Sequence, residues 1–231
     1  MIEIKKRLQS LHNTINQAEM QAKRPENSVQ LLAVSKTWSA EILRDAAAAG
    51  QECFGENYLQ EALIKIDALK DLDLQWHFIG PIQSNKTKDI ARSFDWVQSV
   101  DRLKIAQRLN NQRPSELAAL NVCIQVNIDN EKSKAGTSLD EVNTLAQEIM
   151  QLDRLVLRGL MVIPTKTDDV SQQSSAFQRA HQLFKSLKTQ YATIDTLSMG
   201  MTADMNSAIA QGSTMIRVGT GIFGQRHTRA T

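Results

Sequence analysis

Lys36 closes a short apolar run, Leu31-Leu32-Ala33-Val34-Ser35. A lysine at such a strand end has its aliphatic stem packed and its amine at the rim, where desolvation and nearby cations favour the neutral, nucleophilic form. A snorkelling surface lysine is the structural alternative. Much later in the chain, two glycine turns have the composition of an anion cradle. Ser198-Met199-Gly200-Met201 runs into a helix opening near Ala203-Asp204, and Gly219-Thr220-Gly221 opens the last segment. Glycines let backbone N–H groups approach a phosphate, and helix N-termini add a favourable dipole. Each turn alone is equally an ordinary tight turn.

Arg217 stands inside Thr214-Met215-Ile216-Arg217-Val218, and His77 inside Trp76-His77-Phe78. A charge in an apolar strand needs a partner. Alternation lets Arg217 face either a ligand or a structural ion pair in the helix layer, and leaves His77 as either a pocket residue or a satisfied core histidine. Glu56, Glu61 and Asp204 raise the possibility of paired carboxylates for glycosidic chemistry, but nothing in the sequence sets their separation. Capping and helix-surface roles are the expectation for them.

The elements that must position these groups alternate. Residues 1–23 carry Ile4, Leu8, Leu11, Ile15 and Ala18 at spacings of three and four, the pattern of an amphipathic helix. Short apolar runs follow at 31–35, 53–55, 76–79, 96–99, 122–127, 155–163, 193–197 and 215–219. Helical segments at 39–49, 58–69, 85–92, 102–112, 139–151, 172–190 and 205–211 separate them. Strands alternating with helices imply parallel pairing and right-handed crossovers. Eight such units predict an α/β fold, a single (β/α)₈ barrel with an extra N-terminal helix, over one domain of residues 1–231. The rival open doubly wound sheet usually has a glycine-rich first turn, and here that turn is Ser35-Lys36-Thr37-Trp38. In a barrel, ligands bind at the C-terminal strand ends, with phosphate typically in the loops after strands seven and eight. Lys36 and both glycine turns fall there.

Composition narrows the function classes. A net charge of +2 argues against nucleic acid or an acidic membrane as partner, and 5% aromatics argues against base stacking. The two cysteines, Cys53 and Cys123, lie in separate apolar runs and read as buried reduced thiols. No Cys/His cluster suggests a metal site. The N-terminus lacks a secretory apolar core, so a cytoplasmic protein is expected.

Seven segments together resemble the pyridoxal phosphate homeostasis protein family, which is related to the barrel domain of alanine racemase. They are Leu32-Ala33-Val34-Ser35-Lys36-Thr37, Phe54-Gly55-Glu56-Asn57-Tyr58 through Gln60-Glu61, and Trp76-His77-Phe78-Ile79-Gly80 through Gln83-Ser84-Asn85-Lys86. Then come Val126-Asn127 with Lys132-Ser133-Lys134-Ala135-Gly136, Arg158-Gly159-Leu160-Met161, Ser198-Met199-Gly200-Met201, and Ile216-Arg217-Val218-Gly219-Thr220 running into Ile222-Phe223-Gly224. Several are weak singly; in family order across residues 32–224 they are specific.

The resemblance implies a cofactor, pyridoxal 5′-phosphate (PLP), carried as a Schiff base on Lys36. It implies a phosphate site of Ser198, Gly200 and Met201 with Gly219 and Thr220, and Arg217 facing the pyridine nitrogen. Asn57 and His77 match polar residues lining the pocket. Trp38-Ser39 and Thr202 depart from the family pattern, and both departures are expected to fall outside the contacting atoms.

Three functions remain in play: a non-catalytic carrier and regulator of PLP, a PLP-dependent amino-acid racemase, and a phosphosugar-binding barrel enzyme. Racemisation needs a base on each face of the substrate carbon. The chain has two tyrosines, Tyr58 and Tyr191, and ends soon after the last barrel strand. A cofactor left uncovered suits exchange better than catalysis, which gains from excluded water. The expectation is therefore a monomeric carrier, with PLP-dependent apo-enzymes as its candidate partners.

Overall fold

The computed structural model describes residues 2–131 and 134–225. Eight parallel strands close into a barrel in sequence order: β1 (Gln30–Val34), β2 (Cys53–Glu56), β3 (Gln75–Phe78), β4 (Trp96–Val100), β5 (Leu120–Val126), β6 (Leu155–Val162), β7 (Thr196–Ser198) and β8 (Met215–Val218). β8 returns to pair with β1, Leu32 opposite Arg217 and Ala33 opposite Val218, so no strand edge is left open. Helix α1 (Ile2–Gln21) precedes the barrel. After the successive strands come α2 (Ala40–Ala48), α3 (Leu59–Ala68), α4 (Thr87–Ser93), α5 (Leu103–Gln112), α6 (Val142–Ile149), α7 (Val170–Gln190), α8 (Met205–Ala210) and α9 (Thr220–Phe223). The (β/α)₈ barrel with an extra N-terminal helix is the architecture that the alternating pattern predicts.

Most strand side chains that face outward meet helix stripes in one apolar layer. Phe54, Val97, Val122, Leu160 and Ile216 pack with Leu43, Ala62, Ile90, Ile105, Leu145 and Phe177. The helix α1 buries Leu8, Leu11, Ile15 and Ala18, the face its periodicity marks. It packs against α8, α9 and α2, beside the seam where β8 meets β1.

The barrel interior is unusually polar. The Ser198 hydroxyl on β7 donates to Gln98 Oε1 on β4 at 2.7 Å, and Gln98 also reaches Met215 on β8. Such bonds join strands that are not neighbours, so they cross the interior. Two apolar clusters lie beside these polar groups, Leu32, Cys53 and Met215 in one and Trp96, Cys123 and Met161 in the other.

Several element boundaries shift by one to three residues from the sequence pattern, and two of the shifts have a visible cause. β7 runs 196–198 rather than 193–197, because Ile194 packs into the helix layer before the strand begins and Leu197 and Ser198 supply its pairing. α7 opens at Val170, two residues early, because Asp169 caps it by accepting from the Ser171 and Gln172 amides.

Candidate functional site

A pocket of about 350 Å³, within the range of small-ligand sites, opens at the C-terminal ends of the strands. Its wall includes Lys36, Asn57, Met201, Arg217, Gly219 and Thr220, all candidate residues from the sequence. Val34, Ile79, Met161 and Ile163 give it an apolar floor that sequence reasoning did not single out, and Thr202 and Ala203 complete the rim. Thr202, one of the two departures from the family pattern, therefore stands at the pocket rim. Trp38 instead packs on the Phe223 ring, centroids 5.7 Å apart, and is not among the lining residues.

Lys36 stands two residues beyond the end of β1 and is half-buried. The next residue, Thr37, has φ +71°, the left-handed region that a β-branched residue avoids, at a cost of about 1–3 kcal/mol. Such strain persists only where surrounding contacts hold it.

Arg217 is almost wholly enclosed. Its guanidinium donates to the Ser198 hydroxyl at 2.7 Å and to the Val162 carbonyl at 2.8 Å. Burial lowers its pKa to about 10, and Asp204 works in the opposite direction. It therefore remains a cation at neutral pH, in the pocket wall rather than the helix layer.

Ser198 and Gly200 lie behind this wall. Ser198 spends its hydrogen on Gln98 and accepts from Arg217. Gly200 has φ +96°, and a Cβ there would sit 2.5 Å from Ala208 Cβ, so only glycine lets the turn rest on α8. The Met201 amide donates to the Asp204 carboxylate, so an anion already occupies that donor. Gly219 passes close to β1: a Cβ would stand 3.1 Å from the Val34 carbonyl oxygen. The helices α8 and α9 have six and four residues. Their dipoles are small, so an anion held here would depend on the amides of the turns themselves.

His77 lies deeper than the pocket wall and is fully enclosed. Its Nδ1 accepts from Gln98 Nε2 and its Nε2–H donates to Gln75 Oε1, each at 2.9 Å, with the ring stacked on Trp96. Burial pushes its pKa down to about 3, so the ring is neutral. The directions close into one chain from Arg217 through Ser198, Gln98 and His77 to Gln75. His77 is connected to the pocket wall through this chain and is not itself among the lining residues. Gln98, an amide within the apolar run Trp96-Val97-Gln98-Ser99-Val100, is the residue that sequence reasoning missed.

The three carboxylates do not form a catalytic pair. Glu56 and Glu61 converge on one lysine, Lys65, and Asp204 sits at the Met201 turn. The surface role expected for Glu56 is also corrected, since its side chain is wholly buried. Both cysteines are buried, and burial raises the Cys53 thiol to about 11 and the Cys123 thiol further still. Lys132 and Ser133, part of one motif segment, lie outside the described residues.

The residues present suit a phosphorylated aldehyde such as PLP. Lys36 would supply a nucleophilic amine and the Gly219-Thr220 turn would supply amide donors beside the Arg217 cation, whereas the Met201 amide is already taken by Asp204. The buried Asn57 Oδ1 has no hydrogen-bond partner among the described residues, which leaves an acceptor for a ligand's donor.

The family model described as alanine racemase, N-terminal domain, matches residues 7–227. Fold and site thus define a barrel of the alanine racemase N-terminal-domain class. The alanine racemase of Clostridium difficile 630 shares that fold with a TM-score of 0.71 at 14% identity, over 99% of this chain and 58% of that one. Much closer is the pyridoxal phosphate homeostasis protein of Pasteurella multocida (strain Pm70), 55% identical over 227 residues, 96% of this chain and 97% of that protein. PipY of Synechococcus elongatus PCC7942, solved with PLP bound, superposes with a TM-score of 0.82 at 37% identity, covering 96% of this chain and 100% of that one. The chain belongs to the pyridoxal phosphate homeostasis protein family.

Proposed function

We propose that this chain binds PLP at the barrel mouth as a non-catalytic carrier and regulator of the cofactor, holding it as a Schiff base on Lys36. The observation that carries the reading is the convergence of Lys36, Arg217 and the Gly219-Thr220 turn on one pocket, in a chain 37% identical to a PLP-bound relative. The linkage balances without a further reactant: the neutral ε-amine condenses with the aldehyde and releases water, and hydrolysis reverses it. When bound, PLP supplies an electrophilic carbonyl and a ring able to accept electrons. The residues of this chain limit the second property. Arg217, cationic and buried, would face the pyridine nitrogen and oppose its protonation, which makes the ring a poor electron sink.

The positions of the two tyrosines favour carriage over racemisation. Tyr58 is exposed and does not line the pocket, and Tyr191 caps the C-terminus of α7. Neither offers a second base opposite Lys36. A cytoplasmic monomer that loads and releases PLP for apo-enzymes is the fullest form of the proposal. The near-neutral net charge of +2 supports a small-molecule ligand and no nucleic-acid or membrane partner.

Incubation with PLP, borohydride reduction and peptide mass mapping test it. The expected result is a single adduct on Lys36 that Lys36→Ala abolishes. An undiminished adduct in the alanine variant overturns the assignment. Sustained turnover of any single L- or D-amino acid by the purified protein overturns the carrier reading in favour of the racemase.

A further inference from the structure

The peptide on each side of Lys36 is held by the same buried charged cluster, which belongs to the next βα unit. Lys65 on α3 has three ammonium hydrogens and three acceptors: the Ser35 carbonyl at 2.9 Å, Glu56 Oε1 at 2.7 Å and Glu61 Oε1 at 2.5 Å. Glu56 also accepts from the Ser35 hydroxyl at 2.6 Å. Glu61 accepts from the Thr37 amide, the residue with φ +71°. Residue 35 is thus fixed by Glu56 and Lys65, residue 37 by Glu61, and Lys36 lies between.

Burying such a cluster is a poor way to gain stability. The side chains of Lys65 and Glu56 are 4% and 0% exposed, so desolvation consumes most of their attraction. Glu56 also keeps a second buried oxygen, Oε2, that has no hydrogen-bond partner among the described residues. An arrangement this costly, aimed at the two neighbours of one side chain, makes physical sense as alignment.

We propose that Glu56, Lys65 and Glu61 are positioning residues that hold the Lys36 turn in its left-handed form and so aim the ε-amine into the pocket. The cluster is not among the residues lining the pocket; it sets how readily the amine engages and releases a carbonyl. The inference rests on the PLP reading for its ligand, while the alignment itself is measurable without PLP.

Glu61 is the residue to change, since its side chain is 30% exposed while those of Lys65 and Glu56 are 4% and 0% exposed. Glu61→Ala removes the acceptor for Thr37, and Glu61→Gln retains one. In the full chain, trace acetic anhydride labelling followed by peptide mass mapping reports the reactivity of Lys36 relative to the other lysines. PLP titration with borohydride trapping reports affinity. Glu61→Ala should change the relative labelling of Lys36 by about threefold or more and weaken PLP binding about tenfold, because misaimed reacting groups lose effective concentration. Its thermal midpoint should stay within a few degrees of the parent. Glu61→Gln should lie within about twofold of the parent on both readouts, since the acceptor geometry survives.

Unchanged Lys36 labelling in Glu61→Ala overturns the proposal, as does a Glu61→Gln variant as impaired as Glu61→Ala. If the unmodified protein takes no PLP on Lys36, the functional reading falls, and the labelling comparison still decides the alignment.

Discussion

Burial leaves opposite protonation states on two side chains of the same hydrogen-bonded chain. Arg217, lowered to about 10, stays cationic, whereas His77, lowered to about 3, stays neutral. A neutral His77 can accept from Gln98 and donate to Gln75, and the orientation this imposes on the Gln98 amide offers its oxygen to Ser198 and so supports Arg217. The consequence for stability has a definite sign. The unfolded chain protonates this histidine near pH 6.5 and the folded chain does not until about 3, so the contribution is full above 6.5 and is lost as pH falls. At pH 5 the loss from this group is about 2 kcal/mol. Urea denaturation between pH 7.5 and 5 should show that decline, and His77→Gln should flatten it. Parallel decline in both proteins would mean that the ring is not held neutral.

The loops at the strand ends owe their shape to a few close backbone approaches. At Gly80, after β3, a Cβ would lie 2.2 Å from the Asn57 carbonyl oxygen, and the Ser99 hydroxyl holds the Gly80 carbonyl at 2.6 Å. The β3 loop is thereby pressed against the residue that presents the unpartnered Oδ1 to the pocket. Gly80→Ala should push Asn57 out of place, costing about 1–3 kcal/mol of stability and weakening PLP binding about tenfold. Gly50→Ala is the matched control. Its φ of +96° is strained for alanine, but a Cβ there meets nothing within 4 Å, and it lies at the opposite end of α2 from the pocket. That variant should lose about 1 kcal/mol and keep its affinity. Calorimetry and PLP titration on the two variants separate these outcomes; equal affinities would refute the role assigned to Gly80. The Gly80 motif was visible in the sequence. Its reason was not, because the atom it spares belongs to a different βα unit.

Closure of the barrel brings residues from the two ends of the chain together, and α1 secures that junction from the face away from the pocket. Glu19, buried in α1, accepts from the Asn27 amide at 3.1 Å, the Ser28 hydroxyl at 3.0 Å and the Val29 amide at 2.8 Å, fixing the approach to β1. Arg24 then donates to the Ile209 and Ser213 carbonyls at the entry to β8. Glu19→Ala should cost about 2–3 kcal/mol, since it strands a buried amide, and should leave PLP affinity unchanged. A shift in the urea midpoint with constant binding is the expected pair of results; loss of binding would tie the seam to the site.

Local chemistry made the elements legible. Apolar runs, helix periodicity, glycine turns and a lysine at a strand end are all written within a few neighbouring residues, and they suffice to place Lys36 beside the turns at 200 and 219 once a barrel is assumed. The facing of the polar strand residues could not be read this way. Alternation permits either side for Arg217 and His77, and only the closed barrel, with Gln98 and Ser198 in its interior, shows that both face inward. The groups that support them were equally hidden. Gln98 meets Ser198 across 100 residues of chain, and Lys65 meets Ser35 across 30. Hydrogen bonds between distant strands leave no period in a sequence, so the tertiary structure alone decided which polar side chains became a site and which became its supports.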